Sequence, residues 1–244
     1  MRIAVVMPTY NEAANIGKMI DVLFETIFPA MDGFDMHLVV ADDTSPDGTG
    51  RIVTDRMTVH ERLHLSTGER RGLGHAYVRG FSFAMDQLSA DAVVEMDADF
   101  QHDPRYLIDM ATAFEKGADY VIGSRFMAGG AIPDQWAWHR KFISVAGNRF
   151  ARRMLGLDAI HDLTTGFRLT RVAGVLDRID LSGLMALDRF AYKVDLLYKT
   201  LALARTVVEI PIAFAPRQRE KSKFNFSELI ATYKVVAKLR MSGR

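Results

Sequence analysis

Residues 92–114 read AVVEMDADFQHDPRYLIDMATAF, and the order of their parts decides the fold. Ala92–Met96 is a short β-rich run that reads as a strand. Asp97, Ala98 and Asp99 end it. Asp103 and Pro104 then supply an N-cap and a first helical residue, after which Leu107, Ile108, Ala111 and Phe114 recur at helical spacing. The unit is a strand, an acidic turn and a helix.

The same rhythm extends outward in both directions. Arg2–Met7, Met36–Ala41 and Asp119–Ile122 read as strands that end in polar turns. Ile16, Met19, Ile20, Leu23, Phe24 and Ile27 mark one face of a helix, and Tyr77, Phe81, Ala84, Met85 and Leu88 mark another. Alternation of this kind over the first ~125 residues predicts an α/β domain, a mostly parallel central sheet with helices on both faces. Ligands bind such sheets outside the carboxyl ends of the strands. Pro8–Glu12, Asp42–Gly48 and Asp97–Asp99 fall at those ends and are expected to share one cleft.

After Arg125 the alternation breaks. A basic helix is expected over Lys141–Leu155, then a turn-rich segment His161–Leu169 entering a short strand. A helix near Phe190–Ala204, a strand Thr206–Phe214 and a polar loop Pro216–Asn225 follow. The last element is an amphipathic helix, Ser227–Arg240.

The chain has 244 residues, 49% of them hydrophobic and 25% charged, which fits one large globular domain and excludes low-complexity or mainly disordered chains. It has no cysteine, so disulfides, thiolate-bound metals and a thiol nucleophile are excluded. The opening apolar run is too short for a signal peptide. Asp195, Lys199, Arg205 and Glu209 interrupt the most apolar stretch, Val194–Ala215, so no membrane-spanning helix is expected. The net charge of +1 conceals an asymmetry: residues 1–134 hold 11 basic and 21 acidic side chains, and residues 215–244 hold 8 and 2. Gln135–Leu157 carries Arg140, Lys141, Arg149, Arg152 and Arg153 with no acid, a composition suited to anions as well as to a solvated helix face.

Asp97 and Asp99 are two residues apart, so in an extended backbone their carboxylates share a side and can hold one hard cation. Gln101 can add a carbonyl oxygen. The plainer reading of such a pair is a turn or helix cap. Asp42 and Asp43 close the second strand, where one can accept the N–H of a base ring or simply brace a turn. Gly72-Leu73-Gly74, with Arg70 and Arg71 beside it, would let backbone N–H groups approach an anion at a helix start. His102 reads as a neighbour of the acidic motif rather than a ligand. For Trp136, Trp138 and Phe142, packing in the core is preferred over contact with lipid or sugar.

Taken in order, PTYNE (8–12), ADDTSPDGT (41–49), RGLGHA (71–76), MDADFQHDP (96–104), GSRF (123–126), TTGFR (164–168) and EIPIAFAPRQREKSK (209–223) resemble the motif series of family 2 glycosyltransferases. The similarity is strongest to the polyprenol-phosphate sugar synthases, the dolichol-phosphate mannose synthases among them. The resemblance implies a GT-A fold and an inverting transfer of a hexose, mannose from GDP-mannose first among the donors, onto a polyprenyl or dolichyl phosphate. It implies that Pro8, Tyr10, Glu12 and Asp42 hold the nucleoside, and that Asp97, Asp99 and Gln101 bind Mg²⁺ or Mn²⁺ on the diphosphate. It also implies that Arg125, Arg140, Arg219 and Lys223, with Ser222 in the same segment, lie near the two phosphates; Asp99, Arg125, Arg140 and Arg219 are the expected catalytic set. Two positions depart from the family: Glu220 replaces a usual Gly, and Asp195 a usual Glu.

The domain division expected is a catalytic unit over residues 1–225 and a C-terminal basic amphipathic helix over 226–244 that touches a membrane surface, a membrane partner protein or the core. The expected setting is cytoplasmic, peripheral on the cytoplasmic face of a membrane, with no nucleic-acid partner. A phosphomonoester acceptor, whose second pKa is near ~6, is already largely dianionic at neutral pH and needs no general base. A glycan hydroxyl would need one, for which Asp162 and Asp195 are the candidates. The rival readings are transfer from UDP-glucose or UDP-GlcNAc to polyprenyl phosphate or to such a hydroxyl, and a non-catalytic nucleotide-sugar-binding protein.

Overall fold

The computed structural model describes residues 1–216 and 226–242. The first half is built as the alternation predicts: β1 (Arg2–Thr9), α1 (Ala13–Val22), β2 (Asp35–Asp42), α2 (Thr49–Met57), β3 (Leu63–Thr67), α3 (Leu73–Asp86), β4 (Ala92–Glu95), α4 (Tyr106–Glu115) and β5 (Tyr120–Ser124). Then come α5 (Trp138–Leu155), β6 (Arg168–Arg171), α6 (Tyr192–Leu203), β7 (Val207–Pro211) and α7 (Phe226–Ser242). The strands form one sheet in the order β3-β2-β1-β4-β6-β5-β7. Every pairing is parallel except those of β6, which runs antiparallel between β4 and β5.

β1 shows how the layers arise. Ile3, Val5 and Met7 point to the core shared with α1 and α4, whereas Ala4 and Val6 point to the core under α3. Both faces of the strand are covered, so its sequence is a continuous apolar run rather than an alternating one. α3 lies close on this face because Gly80 has no side chain; a Cβ there would collide with Val6. A third core joins Tyr120 and Ile122 of β5 to α5, α6 and α7, with Val235, Val236 and Leu239 of α7 buried in it.

β6 carries a cation into the sheet. Arg168 is fully buried, stands in register with Glu95 of β4, and donates to the carbonyls of Lys193 at 2.7 Å and Leu163 at 2.8 Å. Burial pushes the Glu95 carboxyl up, against the pull of Arg168 and Lys193.

Three local expectations change. β3 has no counterpart among the predicted strands. It is an edge strand whose centre is only half-buried, and His64 and Ser66 break its apolar pattern. α4 starts two residues after Pro104, because Asp103 and Pro104 form a preceding turn in which Asp103 accepts the Arg105 N–H at 2.9 Å. Trp138 and Phe142 are not core residues: they are 79% and 67% exposed on the outer face of α5.

Candidate active site

The loops after β1, β2 and β4 converge at one edge of the sheet. Asn11, Thr44 and Phe100, one in each loop, have positive φ without being glycine. Such strain clusters where surrounding structure over-determines a binding geometry. Two cavities open beside these loops.

The first cavity, about 250 Å³, is lined by Pro8, Tyr10 and Glu12 after β1, Asp43 after β2, Arg70 and Gly72 before α3, and Asp97 and Asp99 after β4. The Arg70 guanidinium lies over the Tyr10 ring at 3.8 Å and forms one wall with it. Asp42, expected here from the sequence, does not line this cavity. Its carboxylate is taken up inside the turn by the Thr9 hydroxyl at 2.8 Å, the Ser45 hydroxyl at 2.6 Å and the Ser45 N–H at 2.9 Å. The neighbouring Asp43 lines the cavity instead, braced by Arg79 at 2.9 Å. Burial holds the Asp43 carboxyl above its ordinary value. The glycines of residues 72–74 also have a different use. Gly74 donates its N–H to Leu187 at 2.9 Å, and a Cβ at Gly72 would strike the Asp188 backbone. They seat the 187–188 segment, so the Gly74 N–H is not directed at an anion.

The second cavity, about 280 Å³, lies between α5, α6 and α7. Its lining mixes polar side chains, among them Asp97, Gln101, His102, Arg125, Arg140 and Lys193, with apolar ones, Ile143, Ala151, Val194 and Leu229. Asp97 lines both cavities and stands at their junction. The Tyr77 hydroxyl, fully buried, donates to Asp97 at 3.1 Å and fixes its orientation. Asp99 accepts the Gln101 N–H at 3.1 Å, and the Gln101 amide nitrogen donates to the Ala215 carbonyl at 3.2 Å. The amide nitrogen is thereby committed, which orients the side-chain carbonyl oxygen.

These residues fit a divalent ion of the Mg²⁺ or Mn²⁺ type. The donors are oxygen only, two carboxylates and an amide carbonyl at one strand end, and the cavity beside them has room for a diphosphate to complete the shell. Among the described residues no group of three or more His, Cys, Asp and Glu side chains forms an all-protein metal cage. Any ion held here would share its coordination with substrate.

The expected phosphate cations separate. Arg125 lines the second cavity, but its guanidinium is bidentate to the fully buried Asp162, at 2.7 and 2.9 Å, and donates to the Thr164 hydroxyl at 2.8 Å. Arg125 holds the Asp162 carboxyl below the usual carboxylate range despite burial. Arg140 stacks over Trp136 at 3.7 Å on the cavity wall. Arg219, Ser222 and Lys223, and the departure at Glu220, lie outside the described residues. Asp195 is buried away from both cavities and accepts the Met185 N–H and the Lys199 ammonium at 2.7 and 2.9 Å. Of the two candidate bases, Asp162 is taken up by donors, and Asp195 lines neither cavity and is held by Met185 and Lys199.

His102 sits against this site, stacked on Phe167 at 5.0 Å, and burial pushes its imidazole down to about 4. In the unfolded chain the same ring protonates near 6.5, so the unfolded state takes up the extra proton as pH falls between those values. The His102 contribution to stability is full above pH 6.5 and drains away toward pH 4, a loss of about 3 kcal/mol. His102→Phe is expected to flatten this part of the urea-melt profile. A variant that keeps the wild-type slope would contradict the assignment.

Sequence reasoning did not single out Lys193 or Glu228 as site residues, although both line the second cavity. They reach it from α6 and α7, and no local motif announces them.

Residues 4–177 match the family described as Glycosyl transferase family 2. The chain is 34% identical over 245 residues to a polyprenol monophosphomannose synthase of Mycolicibacterium smegmatis, covering 100% of this chain and 88% of that protein. It is 37% identical over 226 residues to an undecaprenyl-phosphate mannosyltransferase of Micrococcus luteus, covering 92% and 88%. A dolichol-phosphate mannosyltransferase of Pyrococcus furiosus is 33% identical over 224 residues, 91% of this chain and 59% of that one. Among solved structures, glucosyl-3-phosphoglycerate synthase from Mycobacterium tuberculosis, in complex with Mn²⁺, UDP and glucosyl-3-phosphoglycerate, superposes with a TM-score of 0.62 at 21% identity, covering 99% of this chain and 79% of that one. Mannosyl-3-phosphoglycerate synthase from Rubrobacter xylanophilus gives 0.65 at 18% identity, covering 100% and 75%. These two show a shared fold, the GT-A arrangement expected from the motifs. With its motifs, sheet and strand-end acids in agreement, the chain belongs to glycosyl transferase family 2 and is a glycosyltransferase.

Proposed function

We propose that this enzyme transfers a mannosyl group, with inversion, from GDP-mannose to the phosphate of a polyprenyl phosphate. The observation that carries this reading is the pair of cavities that share Asp97, the second of them lined by cationic side chains, Arg125, Arg140 and Lys193, together with apolar ones, Ile143, Ala151, Val194 and Leu229. A phosphate on a hydrocarbon chain matches that mixed lining. The names of the 33–37% identical relatives support mannose and a polyprenyl carrier.

In this reading Pro8, Tyr10, Glu12 and Asp43 surround the nucleoside, with Asp42 shaping the turn beneath. Asp97, Asp99 and Gln101 would hold a Mg²⁺ or Mn²⁺ ion, which when bound stabilises negative charge on the departing diphosphate. A phosphate oxygen of the acceptor attacks the anomeric carbon as the bond to the donor's β-phosphate oxygen breaks, and GDP leaves with the electron pair. No proton has to be removed, which accords with the buried Asp162 being locked to Arg125. Arg125 and Arg140, with Arg219, Ser222 and Lys223, are assigned to the two phosphates.

α7 closes the second cavity through Leu229, Thr232 and Tyr233 while Val236 and Leu239 hold it to the core, so the division into residues 1–225 and a helix over 226–244 is one of role. Among the described residues no helix is long and apolar enough to cross a membrane. The exposed Trp138 and Phe142, which flank Arg140 and Lys141 in α5, support peripheral contact with the cytoplasmic face of a membrane, directly or through a membrane partner.

The test is incubation with radiolabelled GDP-mannose, UDP-glucose or UDP-GlcNAc, each with polyprenyl phosphate and Mn²⁺, followed by extraction into organic solvent. Label from GDP-mannose is expected in the lipid phase. Failure of every donor to deliver label would dismiss the reading, and label from another donor alone would correct the sugar.

A further inference from the structure

Lys193 lies in the first turn of α6 and is only 4% exposed. A lysine ammonium carries three donors, and burying it without acceptors is unfavourable unless something else supplies them. Among the described residues no acceptor lies within hydrogen-bonding or ion-pairing distance of Lys193 Nζ; its recorded neighbours include the ring faces of Tyr77 and Phe190, each 5.7 Å away. The side chain lines the second cavity and does not line the first.

The chain makes room for this charge. Gly166, in the turn before β6, lies so close that a Cβ there would collide with the Lys193 ammonium, with His102 next in line. The other cations of the cavity are differently placed, Arg125 on Asp162 and Arg140 over Trp136. The adjacent Glu95 is in register with Arg168 and accepts from the Tyr192 hydroxyl at 3.3 Å.

We infer that Lys193 is the anchor for the acceptor's phosphate, its ammonium holding a charged oxygen in the second cavity, which Asp97 also lines. The inference rests on the lipid-phosphate reading above and adds to it a residue and a direction of entry. The phosphate goes in first, toward Lys193, and the hydrocarbon follows along α5 and α7. As the new bond to the sugar forms, a phosphomonoester of charge near ~−2 becomes a diester with one negative charge. The attraction to Lys193 falls accordingly, so the anchor holds substrate more tightly than product.

The test compares wild type with Lys193→Met, Lys193→Arg and Gly166→Ala, using farnesyl phosphate as the acceptor. Lys193→Met is expected to raise the KM for farnesyl phosphate roughly 10- to 100-fold, the size of a lost charged hydrogen bond, and to leave calorimetric binding of GDP with Mg²⁺ unchanged. Its Tm is expected to equal or exceed that of wild type, because a buried charge without a hydrogen-bond acceptor has gone. Lys193→Arg should recover part of the acceptor affinity, and Gly166→Ala should weaken it. A Lys193→Met protein with unchanged acceptor KM, or with donor and acceptor affinity reduced alike, overturns the assignment and leaves the lipid-phosphate reading standing. Should Lys193→Met fail to fold, Gly166→Ala decides: unchanged farnesyl phosphate binding overturns the assignment. A wild type that neither binds nor mannosylates farnesyl or polyprenyl phosphate removes the acceptor reading and this assignment together.

Discussion

Asp99→Asn is expected to lower kcat/KM by about 10³-fold or more while leaving the fold intact. The substitution keeps the shape and the acceptor oxygen that receives the Gln101 N–H, so the loop after β4 retains its hydrogen bond. What disappears is one negative charge at the edge of the first cavity. If that charge holds a cation against the donor's diphosphate, the variant should show a large loss in turnover and a weaker dependence on added Mn²⁺, with a Tm near wild type. Steady-state transfer assays across a Mn²⁺ titration measure this directly. Activity within about tenfold of wild type would mean that Asp99 has no such role.

The second large effect concerns stability. Asp162→Ala strands the Arg125 guanidinium and removes acceptors for the Thr164 and Thr165 N–H groups, at 3.1 and 3.0 Å. Taking one partner from a buried ion pair destabilises by about 3–5 kcal/mol, and urea melts of the variant should show a loss of that order. The double variant Arg125→Met/Asp162→Leu should recover a good part of this stability without recovering transfer, because the uncompensated charge is gone while the cavity has still lost its cation. A single Asp162→Ala variant as stable as wild type would show that solvent reaches this pair freely.

The parts of the molecule that were legible in the sequence are those whose signal is local. β1, β2, β4 and β5 are apolar runs because a parallel strand is covered on both faces, and Asp97 and Asp99 stand out because they end one. Asp42 and Asp43 show where local reading stops. Consecutive residues at a strand end point to opposite sides, so the choice of Asp43 for the cavity depends on register within the sheet. β6 was legible as a short strand but not in its direction, which depends on the chain leaving after β5 and returning between β4 and β5. The second cavity is farther from any local signal. His102, Lys193 and Glu228 come from distant parts of the chain and meet only after α6 and α7 have packed. Trp138 and Phe142 misled for a related reason: aromatic residues are usually core, and only the placement of α5 leaves these two in solvent.

The proposed transfer requires donor and acceptor to occupy separate cavities that meet at Asp97, and a crystal structure with Mn²⁺, a non-hydrolysable GDP-mannose analogue and farnesyl phosphate examines that most directly. The predicted result is anomalous density for manganese against Asp97 and Asp99, the nucleotide beside Tyr10, and the farnesyl phosphate headgroup across Asp97, between α5 and α7. Density placing both phosphates in one cavity, or manganese away from the two aspartates, would contradict it.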